Sequence, residues 1–240
     1  MAQWDAERAE RWMRDQAQRS EVYGTATEKM LELAEIRTAD RVLDVAAGAG
    51  DQTLLAARLV GPSGYVLATD ISSDMLSIAA EMVRGAGLTN VDTRVMDGEN
   101  VDLDADSFDA VICLRVLMHT PDWRRSLGEL CRVARDRVVF DYPALLSAAA
   151  LQAAARHAVH ATGGRVEAYR VFADRTVAAA LGINGFRIAD SHRQFVLPIA
   201  FHKGLNSAAA TGRIEGALAR AGLTRLFGSP VTLVAERCAS

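Results

Sequence analysis

The chain has 240 residues, of which 50% are hydrophobic and 24% charged, and these values indicate one sizeable globular domain. Its net charge is -3, its pI is near 6.0 and its basic residues are spread along the chain, which is atypical of proteins that bind nucleic acid or acidic membranes. Three widely spaced cysteines argue against a disulfide framework or a structural zinc site, so we expect no metal and a reducing, cytoplasmic location.

The N-terminal part of the chain is predicted to be helical. Residues 4–18 combine many charges with a weak apolar stripe, which suits a lid helix. Thr25 and Glu28 match a capping box ahead of a second helix over 26–36. The chain has neither the apolar core of a signal peptide nor a run of about 18 apolar residues, so we expect no membrane insertion.

From residue 41 onward, short β-like runs alternate with helical patterns. The predicted strands are 41–46, 65–70, 91–96, 108–114 and 137–142, and the helices between them are 52–60, 73–84 and 121–134. Thr120 is the expected N-cap of the last of these helices, with Pro121 at its first position. Because several strands are continuously apolar, this βαβ repetition predicts a doubly wound α/β sheet that is covered on both faces.

After Asp141 the pattern is less regular. An alanine-rich helix is predicted over 144–161 and ends at Gly163 and Gly164. The remaining predictions are helices near 175–181 and 207–220 and strands over 186–197 and 230–237. With no repeat or clear boundary, we expect a single domain over 1–240, divided into N-terminal helices (1–38), a cofactor-binding core (39–142) and a substrate-side insertion with the last two strands (143–240).

The stretch VLDVAAGAGDQT, residues 42–53, lies where the first predicted strand meets the first helix. Ligands of open α/β sheets bind at this place, and Gly48 and Gly50 permit close backbone approach there. A tight structural turn is the alternative explanation of the glycines. Asp70, 20 residues after Gly50, is placed to accept both hydroxyls of an adenosine ribose, although a solvated acid or a helix cap is the alternative.

Two adenosine cofactors compete for this loop. A dinucleotide fingerprint has a third glycine where this chain has Thr53. It also has no counterpart of Asp44, four residues before Gly48. Both features weaken the prediction of an oxidoreductase.

Residues 42–79, VLDVAAGAGDQTLLAARLVGPSGYVLATDISSDMLSIA, resemble the first two motifs of class I S-adenosylmethionine-dependent methyltransferases. They are especially similar to the group of ubiquinone and menaquinone biosynthesis C-methyltransferases. The likeness spans about 20–142 and is looser near the C-terminus. It implies a Rossmann-like, seven-stranded, mostly parallel sheet with an antiparallel last strand, a helical N-terminal lid and a helical insertion.

The same resemblance implies S-adenosylmethionine as the cofactor, with S-adenosylhomocysteine as its product. Asp44, Gly48 and Gly50 then hold the methionine part, together with Ala46, which replaces the first glycine of the usual motif. Asp70 then binds the ribose. Such a cationic ligand needs carboxylate and carbonyl acceptors rather than a pyrophosphate cradle.

The remaining cofactor contacts implied by the resemblance surround the adenine and the sulfonium. Ile71 and Met75 pack on the adenine, and Asp97 accepts from its amino group beside Gly98. The last contacts come from Leu114 and Arg115 under the sulfonium and from Tyr23 and Thr27 near the carboxylate. One departure concerns the turn before the fifth strand, where the usual proline and glycines are replaced by ARD, 134–136.

Methyl transfer is an in-line attack on an activated methyl group, and a base is needed only when the acceptor carries a proton. His119 is the best-placed base, and a histidine that merely packs at a helix start is the alternative. Arg115, directly after an apolar strand, meets either an internal carboxylate or a ligand anion. Other side chains line either the substrate pocket or the ordinary core and surface, namely His157, His160, His202, Trp4, Trp12, Tyr169 and Phe172.

The expected function is methyl transfer from S-adenosylmethionine to a small, apolar or aromatic organic acceptor, by a monomer or homodimer. The alternatives are another transferase that uses the same cofactor and a non-catalytic cofactor-binding scaffold. Methylation of nucleic-acid bases is disfavoured, because CLRV, 113–116, stands where that class has a proline-rich tetrapeptide. The residues leave open whether carbon, oxygen or nitrogen is methylated.

Overall fold

A computed structural model describes residues 27–28, 30–162, 169–197, 201 and 208–239. Its strands are β1 Arg41–Val45, β2 Tyr65–Asp70, β3 Val91–Val95, β4 Phe108–Cys113, β5 Ala134–Tyr142, β6 Phe186–Phe195 and β7 Ser229–Arg237. Its helices are α1 Asp51–Val60, α2 Ser73–Gly85, α3 Trp123–Val133, α4 Ala148–Ala161, α5 Asp174–Ile183, α6 Ala208–Arg220 and α7 Leu223–Phe227. Helical residues 27–28 and 30–33 precede β1, and the predicted lid over 4–18 lies outside the described residues.

The seven strands form one sheet in the order β3-β2-β1-β4-β5-β7-β6. Strands β1 to β5 pair in parallel, whereas β7 runs antiparallel to both β5 and β6. The predicted Rossmann-like, mostly parallel sheet is therefore confirmed. The strand order reverses between β1 and β4, and the carboxyl ends of these two strands flank the crevice in which such sheets bind ligands.

Two apolar clusters cover the sheet. On one face, Leu43 and Leu67 belong to the cluster that contains Leu127 and Leu130 of α3. On the other, Val42 and Val66 join the cluster that includes the α1 residues 56, 57 and 60. The expectation of two covered faces fails at edge strand β3, whose residues 92–95 are exposed, because the connection 96–107 to β4 contains no helix. None of the helices in the described parts has the length and hydropathy of a membrane span.

Helix α3 begins two residues later than predicted. Asp122, not Thr120, is its N-cap, and the Asp122 side chain accepts a hydrogen bond from the Arg125 N–H over 3.1 Å. The Thr120 hydroxyl instead donates to the carbonyl oxygen of Leu117. Both residue types are good caps, and the carboxylate has the added advantage of a negative charge at the helix N-terminus.

Other boundaries also differ from the sequence prediction. Strand β5 begins at Ala134, directly after α3, so the ARD sequence is part of a strand with an irregular register to β4 rather than a turn. Helix α4 begins at Ala148, capped by Ser147, because Ala144 forms an isolated bridge with Phe172. Helix α7 was not predicted at all.

Candidate functional site

The loop between β1 and α1 depends on left-handed backbone conformations. Ala46, Gly48 and Gly50 have φ angles of 55°, 58° and 91°. Gly50 is the N-cap of α1, and a Cβ atom there would lie only 2.8 Å from Cβ of Ala79 on α2. The two glycines are therefore needed by the turn itself, whichever ligand the loop binds. Ala46 adopts a conformation that glycine tolerates better.

Asp44 is the most deeply buried acid at this edge of the sheet, with no exposed surface. Its Oδ1 accepts from Gln52 Nε2 over 2.5 Å, and its Oδ2 accepts from Thr53 Oγ1 over 2.6 Å. Burial raises its pKa from 3.8 to about 7, although the two hydrogen bonds act in the opposite direction. Thr53, which counted against a dinucleotide site, is thus a partner of this carboxylate.

Asp70 lies at the carboxyl end of β2 and forms hydrogen bonds with the loop. Its Oδ2 accepts from the Gly48 N–H and its Oδ1 from the Ser72 N–H, each over 2.9 Å. Burial raises its pKa, and these backbone hydrogen bonds counter part of that shift. The bond to Gly48 means that a loop N–H already faces a carboxylate, which is unfavourable for a pyrophosphate.

The charge around the loop suits a cation. Asp51 adds an acid to the first turn of α1, where a bound phosphate would need positive potential. Gln52 Oε1 is buried and has no hydrogen-bond partner among the described residues. A carboxylate next to an unused carbonyl acceptor matches the needs of an ammonium group, so the donor and acceptor set fits an amino-acid-bearing cation better than a dinucleotide.

Arg115 follows β4 and meets a carboxylate that sequence reasoning missed. Its N–H donates to Oδ1 of Asp141 at the end of β5 over 2.5 Å, and its φ is 60°. Burial raises the Asp141 pKa, whereas the Arg115 charge lowers it. This bond comes from the Arg115 backbone, so both alternatives for the Arg115 side chain, an internal carboxylate or a ligand anion, stay open. Its neighbour Leu114 is buried in the apolar cluster beneath.

The side chains predicted to surround an adenine differ in accessibility. Ile71 is 49% exposed, which leaves an apolar surface free beside Asp70. Met75 is buried against Ala49, under the loop. Asp97 is exposed, and its Oδ1 accepts from the Glu99 N–H over 2.9 Å.

Gly98 is half-buried, and a Cβ atom there would lie 3.3 Å from Val45. Thr27 is buried in the helical segment before β1, whereas Tyr23 lies outside the described residues. The structure therefore places Thr27 but not Tyr23, and the cofactor contacts of both stay predictions.

The histidines predicted as a base or as pocket residues occupy exposed positions where the structure describes them. His119 is exposed in the turn after β4, and its N–H donates to the Val116 carbonyl. His157 and His160 are exposed on α4, where His157 Nε2 lies 3.2 Å from the Tyr169 carbonyl oxygen.

The aromatic candidates differ in how deeply they are buried. Phe172 is a core residue that packs edge-on against Trp123 and Tyr142. Tyr169 is half-buried, and its hydroxyl donates to the Ala149 carbonyl. His202, Trp4 and Trp12 lie outside the described residues.

A cavity of about 410 Å³ lies away from these residues. Arg41, Tyr65 and Phe108, at the amino ends of β1, β2 and β4, line part of it. It lies beside the exposed residues Asp92, Thr93 and Arg94 of the edge strand β3. We place the candidate site at the opposite, carboxyl edge of the sheet, because Asp44 and Asp70 lie there.

Comparison with known proteins finds similarity to methyltransferases over part of the chain. Residues 42–137 match the family described as a methyltransferase domain. The ubiquinone/menaquinone biosynthesis C-methyltransferase UbiE of Pseudomonas savastanoi pv. phaseolicola is 33% identical over 116 residues, or 47% of this chain and 45% of the relative. Demethylmenaquinone methyltransferase of Shouchella clausii is 34% identical over 101 residues, or 42% of this chain and 43% of the relative. These matches thus cover less than half of each relative.

A solved structure extends the likeness of the fold over almost the whole chain. A SAM-dependent methyltransferase from Aquifex aeolicus superposes with a TM-score of 0.64 at 18% identity, covering 99% of this chain and all of the other. At this identity the comparison supports the fold alone. Together with the family match, it confirms the predicted resemblance to class I S-adenosylmethionine-dependent methyltransferases.

Proposed function

We propose, from the premise that residues 42–137 belong to the methyltransferase-domain family, that this chain transfers the methyl group of S-adenosylmethionine to a small organic acceptor. The observation that carries the proposal is the pair of carboxylates around the β1–α1 loop. Asp44 lies behind this loop and Asp70 holds it through the Gly48 N–H. A loop between two acids favours a cationic ligand.

The residues at the loop divide the cofactor between them in this proposal. Asp44 holds the methionine part from behind the loop, where its negative charge, with Gln52 Oε1 beside it, favours the cofactor ammonium. Gly48 and Gly50 allow the backbone to approach it closely. Asp70 accepts from the ribose hydroxyls with the lone pairs that its two backbone donors leave free.

The assignments at the adenine and sulfonium follow the predicted pattern. Ile71 packs on the adenine with its exposed surface, and Met75 supports the loop from below. Asp97 accepts from the adenine amino group, beside the Gly98 backbone. The strand end at Leu114 and Arg115 faces the sulfonium.

The N-terminal assignments are kept as part of the proposal. Thr27, with Tyr23 from the preceding segment, approaches the cofactor carboxylate. Both positions come from the resemblance, and neither enters the argument for a cationic ligand at the β1–α1 loop.

S-adenosylmethionine supplies a methyl group already activated by a positive sulfur. The contribution of the chain is to align the acceptor with that methyl group and to exclude water. An acceptor with an acidic C–H or O–H needs a base, and His119 is our candidate because it lies in the exposed turn that follows β4. The Arg115 backbone N–H is bonded to Asp141, and an arginine side chain stays protonated, so we assign Arg115 to positioning rather than proton transfer.

We propose an apolar or aromatic acceptor, and a quinone precursor methylated on carbon is the first choice. The names of the relatives support this choice, since they refer to ubiquinone and menaquinone biosynthesis. The small-molecule class also agrees with the absence of a nucleic-acid motif in CLRV.

Two measurements test the proposal. Calorimetry should detect S-adenosylmethionine binding that Asp70→Ala greatly weakens, while Asp74→Ala, an exposed acid on α2, leaves it unchanged. A screen of quinone precursors and phenols should then find an acceptor that releases S-adenosylhomocysteine, with mass spectrometry locating the new methyl group. Binding without turnover of any acceptor would support the scaffold alternative, and undiminished affinity of Asp70→Ala would refute the site.

A further inference from the structure

The charges of this chain are divided between its two parts. Residues 1–142 contain 25 acidic and 16 basic residues, whereas residues 143–240 contain 5 acidic and 11 basic ones. The whole-chain net charge of -3, which counted against binding to acidic membranes, conceals this asymmetry. Such a division between the parts of a chain suggests an interaction with an anionic surface.

Exposed leucines occur in the same basic part. Leu146, just before α4, is 72% exposed, and Leu151, in the second turn of α4, is 77% exposed. Leu145, Leu226 and Phe227 are also among the large apolar side chains that face solvent. An apolar surface of this kind marks an interaction site more often than an ordinary solvated surface.

These apolar residues come from two chain segments that one hydrogen bond joins. The Ala144 N–H donates to the Ser229 hydroxyl over 3.2 Å. Leu145 and Leu146 directly follow Ala144, and Leu226 and Phe227 directly precede Gly228 and Ser229. The beginning of α4 and the end of α7 are therefore neighbours at this hydrogen bond, and we treat their exposed apolar side chains together as the α4–α7 face (Leu145, Leu146, Leu151, Leu226 and Phe227).

Arginines border the α4–α7 face. Arg225 is exposed on α7, and Arg220 is exposed in the last turn of α6, just before α7. Neither has an ion-pair partner among the described side chains. Glu215 is the only acid on these three helices, and its carboxylate accepts from the N–H groups of Val196 and Leu197.

We infer that the α4–α7 face docks the protein on the surface of an anionic lipid bilayer. Leucine and phenylalanine enter the boundary between headgroups and acyl chains, and the neighbouring arginines bind lipid phosphates. This contact is peripheral and needs no membrane-spanning helix. A nucleic acid is a poorer match, because leucine side chains neither pair with phosphates nor stack on bases.

The position of this face also bears on the acceptor. Leu145 follows β5, whose carboxyl end carries Asp141 at the candidate site. Docking therefore brings that edge of the sheet close to the lipid. If the proposed methyl transfer holds, this part of the inference assigns to the site an acceptor that dissolves in the bilayer.

Vesicle co-sedimentation, without S-adenosylmethionine, tests the docking separately from turnover. The purified chain should bind vesicles of phosphatidylcholine mixed with phosphatidylglycerol, and bind vesicles of phosphatidylcholine alone at least about tenfold more weakly. Added salt should release it. No binding to the mixed vesicles would overturn the inference, and so would equal binding to both or tighter binding to a DNA or RNA duplex.

Matched variants locate the contact. Leu146→Ser/Leu151→Ser and Arg220→Glu/Arg225→Glu should each lower the partition onto mixed vesicles at least about tenfold. The controls are Ile183→Ser, an 86% exposed side chain at the end of α5, and Arg84→Glu, exposed on α2, which should bind as wild type. Because all six positions except Leu146 lie within helices at the surface, thermal unfolding checks each fold. Equal losses in the controls would overturn the assignment of the face.

Discussion

The Thr53 hydroxyl donates to Oδ2 of Asp44 over 2.6 Å, although neither atom is accessible to solvent. Thr53 occupies the position at which a dinucleotide-binding loop has its third glycine. Here a side chain is required, because Asp44 has no contact with bulk water and depends on the donors of α1. A threonine at this position thus weakens the prediction of a dinucleotide site and supports a buried carboxylate behind the loop.

Thr53→Val keeps the shape of the side chain and removes this donor. We expect a loss of about 2 kcal/mol in the free energy of unfolding at pH 8, where the carboxylate is ionised, and a smaller loss at pH 5. Urea unfolding at the two pH values measures both. Thr69→Val is the control, because the Thr69 hydroxyl donates to the Asp44 carbonyl, which does not titrate. Equal losses for both variants at both pH values would contradict an ionised Asp44.

The pH dependence of stability should report Asp44 directly. Burial raises its pKa to about 7 in the folded chain, so the folded state binds more protons than the unfolded state between about pH 4 and 7. Stability from this group is therefore greatest at low pH and falls as the pH rises through 7. Wild type should lose about 3 kcal/mol more than Asp44→Asn between pH 5 and 8. Asp74→Asn, exposed on α2, should keep the wild-type slope.

Local signals in the sequence predicted the doubly wound α/β class, whereas the seven-stranded topology and the cofactor role of the loop came from the resemblance to a known family. The alternation of strands and helices predicted the fold because each βαβ unit is a local pattern. Gln52 as a partner of Asp44 was missed, although Gln52, Thr53, Ala56 and Ala57 recur at helical spacing on the buried side of α1. Two polar residues lie on the buried side of the first helix after a strand that contains an acid. This pattern indicates a buried hydrogen-bond network and could have predicted it.

Asp141 could not be assigned in the same way. It lies within the apolar run RVVFDY, and its partner Arg115 is 26 residues earlier in the chain. Only the parallel pairing of β4 with β5 brings the two strand ends together. The α3 cap shows a related limit, because Thr120 and Asp122 are both good caps and the choice depends on the path of the preceding turn.

Removal of the Asp141 carboxylate should be costly. Asp141→Ala leaves the Arg115 N–H without its acceptor and the Arg115 charge without this neighbour, so we expect a loss of about 3 kcal/mol in the free energy of unfolding. Asp141→Asn keeps an acceptor oxygen and should lose less. Asp102→Ala removes the exposed ion pair with Arg94 and should cost less than about 1 kcal/mol. An Asp141→Ala loss as small as that of Asp102→Ala would show that Arg115 does not depend on Asp141.

A comparison of Gly50 with Gly87 distinguishes the cost of backbone strain from the cost of steric contact at the loop. Gly87 has a similar left-handed φ of 71° but open space around it, so Gly87→Ala should cost about 1 kcal/mol through strain alone. Gly50→Ala adds a Cβ atom 2.8 Å from Cβ of Ala79, and α2 must move to accommodate it, so we expect about 3 kcal/mol. Urea unfolding of both variants checks the difference. Equal losses would mean that α2 moves freely away from the loop, and the close approach at Gly50 would then be no reason for glycine at this position.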